Sequence, residues 1–119
     1  MTPSARVAAA VTILDEILNG VPAEQALTSW ARRSRFAGSK DRAAIRDHVF
    51  DAIRRKLSFA ALGGGMIGRG LMIGQVRASG ADPDTVFTGD GYGAPALDDA
   101  ERAGGHEPQS DSERWNLPD

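Results

Sequence analysis

A chain of 119 residues fits one domain by size, and residues 81–119 carry too few large apolar side chains to add a second core. Cysteine is absent, which excludes disulfides, thiolate metal sites and a cysteine nucleophile from this chain and fits a reducing cytosol. The formal net charge of −2 hides an uneven distribution, with 12 Lys/Arg against 6 Asp/Glu in residues 1–80 and 2 against 10 in residues 81–119.

A basic body with an acidic end points to an anionic partner, and nucleic acid is the commonest. The plainer reading is a tail that offsets the body's charge and keeps it soluble. Arg6 is followed by an alanine-rich amphipathic run, unlike the solid apolar core of a secretory signal. No stretch approaches the ~20 apolar residues of a membrane span. A cytoplasmic protein with no membrane partner is expected.

Thr2-Pro3-Ser4 opens the first helix, with Thr2 as cap and proline in the first turn. Val7, Val11, Leu14 and Leu18 recur at helical spacing, Ile17 widens the stripe, and Asn19-Gly20 ends it. Asp15 and Glu16 fall off the stripe and should be solvated. Pro22 starts a second helix that buries Leu27, Trp30 and Ala31. Arg32, Arg33 and Arg35 crowd its end beside Trp30 and Phe36. The helix dipole accounts for one or two of these cations, and a cluster of three beside aromatic rings suits phosphate contacts.

The segment Ser39–Leu62 reads as one long central helix, capped by Ser39, with Asp41 in its first turn and Gly63-Gly64-Gly65 as its stop. Ile45, Val49, Ala52, Ile53 and Leu57 form its apolar face. Arg54, Arg55 and Lys56 lie toward its other end, with Asp51 and Arg55 as an i, i+4 pair. Arg42 and Arg46 fall at or near the apolar stripe, where a guanidinium must snorkel, pair with carboxylates or tie down helix-end carbonyls. His48 sits near the edge of that face. With no second ligand at metal spacing it reads as a half-buried, hydrogen-bonded side chain. His106, in the polar tail, is still less a candidate for a catalytic or metal role.

Gly63 to Gly68 matches G-x-G-x-x-G, but the dinucleotide fingerprint needs a strand before it and a βαβ unit around it. Here it connects two helices. Met66–Ser79 is a fourth helix, apolar on more than one side, in which Gly68, Gly70 and Gly74 permit close helix approach. Asp82 to Phe87 is a short capped turn that docks Val86 and Phe87. From Thr88 glycine and proline break up the chain into a weakly ordered wrap or linker, with a brief acidic helix over residues 97–103. Trp115-Asn116-Leu117-Pro118-Asp119 turns apolar again, like the entrance to a further domain.

Three stretches together resemble the N-terminal region of RsmB/NOP-type (Sun, Fmu) RNA cytosine-C5 methyltransferases. They are Ser4 to Leu14 with Ala26-Leu27, the run Asp41-Arg-Ala-Ala-Ile-Arg-Asp-His-Val-Phe-Asp-Ala-Ile-Arg-Arg55, and Asn116-Leu117-Pro118-Asp119, which looks like the family's Asn-x-Pro-x motif. The resemblance implies an all-α, NusB-like helical bundle over residues 1–88, followed by an acidic Gly/Pro-rich linker over 89–119 that leads to a methyltransferase domain. That domain would hold the S-adenosylmethionine site and the working cysteines, so no cofactor, metal or catalytic residue is expected in this chain. The expected partners are RNA, ribosomal or transfer, and the downstream domain. Arg32, Arg33, Arg35, Arg54, Arg55 and Lys56 would contact phosphates. The alternatives are a protein-interaction module and a free-standing NusB-like transcription antitermination factor.

Overall fold

Thr2 accepts a hydrogen bond from the Ala5 amide at 3.0 Å and starts α1 (Pro3–Leu18), the helix on which the others assemble. The computed structural model describes residues 1–117. The order continues with α2 (Ala23–Arg33), α3 (Ser39–Arg54), α4 (Lys56–Gly63), α5 (Gly68–Ala78), a 3-10 turn (Pro83–Thr85), α6 (Asp99–Ala103) and α7 (Asp111–Trp115). No strand occurs among the described residues, and the protein is an all-α bundle. Ile13 and Leu14 of α1, Ile45 and Val49 of α3, Phe59 of α4, Leu71, Met72 and Ile73 of α5, and Phe87 are fully buried in one cluster. Each such side chain stabilises the fold by roughly 1.5–3 kcal/mol relative to exposure.

The expected central helix is broken. Arg55 leaves the helical region at φ −116°, ψ 28°, and the chain restarts as α4. Nothing in Arg54-Arg55-Lys56-Leu57 disfavours a helix locally. The break comes from packing against α5, which lies at 90° to α4. A Cβ on Gly74 would overlap the Phe59 carbonyl, one on Gly70 the Gly65 carbonyl, and one on Gly63 the Gly70 carbonyl. The two backbones therefore touch where these glycines stand, and α4 must turn away from the α3 axis to reach them. Tertiary contact overrides propensity here. The G-x-G-x-x-G run lies within this helix-to-helix connection.

Two helix starts differ from expectation. Gly38, not Ser39, is the N-cap of α3, and no side chain caps it. Helix α5 begins at Gly68 rather than Met66, because the Gly68 amide is bound at 2.8 Å by Asp15 of α1. Asp15 is thus a cap delivered from another helix, whereas its sequence position marked it as merely solvated. Arg42 and Arg46 tie elements together as expected. Arg42 donates to the Ala37 carbonyl at 2.8 Å, and Arg46 grips Glu24 through both guanidinium nitrogens. His48 is half-buried, with Nδ1 2.6 Å from Gln75 Oε1.

The tail is poor in regular structure, yet it is held against the body and is not a loose wrap. Ala94 and Leu97 are buried in the core cluster. Two arginines of α5 clasp it. Arg69 binds Glu101 and the carbonyls of Pro95 (2.9 Å) and Ala96 (3.0 Å), while its guanidinium lies 5.1 Å from the Phe87 ring centroid. Arg77 reaches the carbonyls of Leu62 (2.7 Å), Glu101 (2.8 Å) and Gly104 (3.1 Å). The motif residues Pro118 and Asp119 lie outside the described residues. Asn116 is inside them and caps α4 from a distance, its Oδ1 accepting from the Ser58 amide at 3.0 Å.

Gly74→Ala should lower unfolding free energy by about 2 kcal/mol or more, because the methyl meets backbone that cannot yield. Gly65→Ala, with open space around the added methyl, should stay within about 0.5 kcal/mol. Urea unfolding of both variants checks the pair. The Arg69 guanidinium holds the Glu101 carboxyl below its ordinary pKa of 4.5. A depressed folded pKa gives stability that is complete above pH 4.5 and fades as pH drops through the folded value. Thermal unfolding curves of wild type and Glu101→Gln should therefore converge toward about pH 3 and separate toward about pH 7. A gap independent of pH would remove the ion pair from the account.

Candidate nucleic-acid interface

The six cations singled out from sequence do not form one patch. Glu24 near the start of α2 pairs with Arg46, and Ala31 near its end shares a cleft with Arg42, so α2 runs antiparallel to α3. Arg32, Arg33 and Arg35 therefore lie toward the start of α3. Arg54, Arg55 and Lys56 lie at its far end. At 1.5 Å per residue the two groups are roughly 20 Å apart along that axis.

Internal carboxylates divide each group. Arg33 pairs with Glu16 of α1 at 3.2 Å. Arg54 and Arg55 share Asp51, at 3.5 and 3.9 Å, and the Arg55 guanidinium also lies 4.6 Å from the Phe59 ring centroid. Arg32, Arg35 and Lys56 are exposed and have no carboxylate in ion-pair range among the described residues. Lys40, which sequence reasoning passed over, is exposed and equally unpaired near the start of α3. Sequence alone would pair Lys40 with neighbouring Asp41, but in the fold Asp41 is claimed by Arg6 at 2.8 Å and by the N-terminal ammonium at 3.4 Å. The Arg6 hydrogen bond is the chief reason the Asp41 carboxyl titrates below the usual range. Among the described residues the cations of these two clusters with neither a carboxylate nor a carbonyl partner are Arg32, Arg35 and Lys40 at one end of α3 and Lys56 at the other.

The acidic tail does not cover these cations. Glu101 is engaged with Arg69, Asp84 and Asp99 with Arg102, and Glu113 with its own capping box and His106. Asp90, Glu107 and Asp111 have no ion-pair partner among the described residues, and α7 packs against α4, yet no tail carboxylate there comes within ion-pair range of Arg32, Arg35, Lys40 or Lys56.

Beside the first patch lies an open groove of about 890 Å³. Its floor includes Ala5, Ala8 and Ala9 of α1, and Phe36 and Tyr92 contribute to its walls. Phe36 is 72% exposed and packs edge-on against Trp30 at 6.4 Å, whereas Tyr92 is 92% exposed. Sequence reasoning placed Phe36 in a turn beside the arginines but left Tyr92 in the tail. Nothing local to Gly91-Tyr92-Gly93 signals that the tail loop returns to α1.

No group of three or more His, Cys, Asp or Glu side chains suited to a metal ion occurs among the described residues, and none of their helices is by itself long and apolar enough to cross a membrane. No protein-family model, curated protein or solved structure matches this chain. Fold and site together define an all-α bundle with two separated cationic patches and an aromatic groove at one of them.

Proposed function

We propose that this chain is an RNA-binding helical domain of an S-adenosylmethionine-dependent RNA cytosine-C5 methyltransferase, acting by holding substrate RNA for a catalytic domain elsewhere. The observation that carries the RNA-binding part is the set of cations at both ends of α3 with no carboxylate in ion-pair range among the described residues. Arg32, Arg35, Lys40 and Lys56 meet phosphates directly. Arg33, Arg54 and Arg55 must share their charge with Glu16 and Asp51, so each contributes less. Phosphate contacts of this kind set affinity and orientation without reading sequence. The methyltransferase part rests on the resemblance of the Asp41–Arg55 run and of Asn116-Leu117-Pro118-Asp119 to that family. C5 methylation of cytosine proceeds through a cysteine nucleophile, which this chain does not contain.

A second reading, a protein-interaction module, is favoured by Trp115 at 71% and Leu117 at 48% exposure near the end of the described chain. Salt separates the two. Single-stranded RNA affinity should fall steeply with ionic strength, and replacing Arg32, Arg35 and Lys56 together by Ala should flatten the log–log slope by about 2. The matching triple of Arg33, Arg54 and Arg55 should flatten it less. Asp51→Asn, which releases Arg54 and Arg55, should strengthen binding. Undetectable RNA binding at low salt would overturn the RNA reading and leave the interaction module. Methyl transfer to RNA by the purified chain would overturn the division of labour.

A further inference from the structure

The groove beside Phe36 has features that phosphate binding does not use. Ala5, Ala8 and Ala9 of α1 line it together with Trp30, so much of its lining is small or apolar. Two exposed aromatic residues, Phe36 and Tyr92, line it from segments far apart in sequence. Tyr92 stands at the tip of a loop closed by the Gly89 amide on the Ala94 carbonyl at 2.9 Å. That loop is pinned to α1 where the Ala94 amide meets Ser4 Oγ at 3.0 Å. A Cβ on Gly93 would overlap Ser4, so the loop sits as close to α1 as backbone allows. Tyr92 lines the groove from this pinned loop and buries almost none of itself in the fold. Packing alone gives no reason for it.

The charges around the groove are of two kinds. Arg35 stands between Ser34 and Phe36, both of which line the groove, and Arg32 lies one turn earlier. Neither has a carboxylate partner among the described residues. Asp90 lines the groove as well, and its carboxylate has no hydrogen-bond or ion-pair partner there among the described residues. A purely anionic ligand would be repelled by Asp90, and a purely apolar one would waste both arginines. A nucleotide satisfies all three: a flat ring for the aromatics, N–H donors on the base edge for Asp90, and phosphate for Arg32 and Arg35.

Resting on the RNA reading above, we infer that this groove receives an unpaired base of single-stranded RNA. The base stacks on Phe36 and Tyr92 and donates from its pairing edge to Asp90, and Arg32 and Arg35 hold the flanking phosphates. Guanine is the preferred base, because it presents two N–H donors side by side to a carboxylate. Bases splayed out of a strand are commonly read in this way, by stacking and by their Watson–Crick edges.

The test uses the full chain and a uridine decamer carrying one central guanosine. A second strand has an abasic nucleotide at that position, and a blunt duplex completes the set. Phe36→Ala and Tyr92→Ala are each expected to weaken guanosine-strand binding by about tenfold without changing the salt slope, since stacking involves no phosphate. Both rings are exposed, and far-UV circular dichroism checks that the variants fold. The abasic strand should bind wild type about as weakly as the guanosine strand binds the variants, with little further loss when the two changes are combined. Asp90→Asn should reduce the preference for guanosine over uridine at the central position. If RNA binds with the arginine and salt dependence described above but neither aromatic variant changes affinity, or if duplex competes equally, the groove assignment is wrong and the RNA reading stands. If no RNA binds at low salt, both fall. A groove that binds an apolar peptide and ignores the guanosine strand would also overturn the inference.

Discussion

The contact between α4 and α5, made backbone to backbone where Gly63, Gly70 and Gly74 stand, is the constraint from which most other features follow. Side chains at those positions would hold the two helices apart at the usual 8–10 Å between axes. Their absence draws α5 onto the Phe59 carbonyl and turns the chain at Arg55. That turn converts the end of α3 into a corner, with Arg54, Arg55 and Lys56 at the surface. A continuous helix would have spaced the same three cations around its barrel. The same approach fixes the direction of α5 and with it the reach of Arg69 and Arg77, two of the side chains that retain the tail. One packing choice therefore sets both where positive charge emerges and where negative charge is held.

Which cations remain available is decided by competition inside the protein rather than by local density of arginine. Arg32-Arg33 and Arg54-Arg55 look alike in sequence, yet one member of the first pair is matched by Glu16 and both of the second converge on Asp51. Exposed pairs of this sort contribute little to stability. Their effect on the proposed phosphate contacts is larger, because a guanidinium already facing a carboxylate has less to offer a phosphate. Helical spacing shows the Asp51 pairing directly, at i+3 and i+4. The Glu16 pairing joins two helices, so no local rule reveals it.

The bundle itself was legible because its main helices carry strong periodicity and clear ends. Thr2, Asp82 and Gly20 behave as their local chemistry demands. Helix α7 was legible in principle: Ser110-Asp-Ser-Glu113 is a capping box, and both of its reciprocal bonds form. Its acidic, apolar-poor setting hid it. The break at Arg55 was not legible, since it depends on where α5 lies. The same holds for Asp15, whose carboxylate caps a helix that begins 53 residues later. Composition also undervalued the tail. Few large side chains were needed to anchor it, because two arginines bonded to main-chain carbonyls, Asn116 on Ser58 and the buried Ala94 and Leu97 share the task. Gly105 allows that close passage, with a positive φ of 80° beside the Leu62 carbonyl.

Docking of the tail has a further consequence for the candidate site. The groove is assembled from α1, the turn after α2 and the loop around Tyr92, so one of its walls exists only while residues 89–94 stay on Ser4. That loop precedes the Arg69–Glu101 clasp by few residues, and loosening the clasp weakens the anchorage of the whole segment. Any ligand that contacts both α1 and Tyr92 must in turn favour the docked tail over the released one, since it binds only the docked form. Affinity at the groove and protection of the tail are thus linked quantities. A change at Glu101, which lines no part of the groove, should register at Tyr92 through this equilibrium. The acidic segment then has a physical role beyond balancing charge: it positions an aromatic ring and leaves the cations of the body exposed.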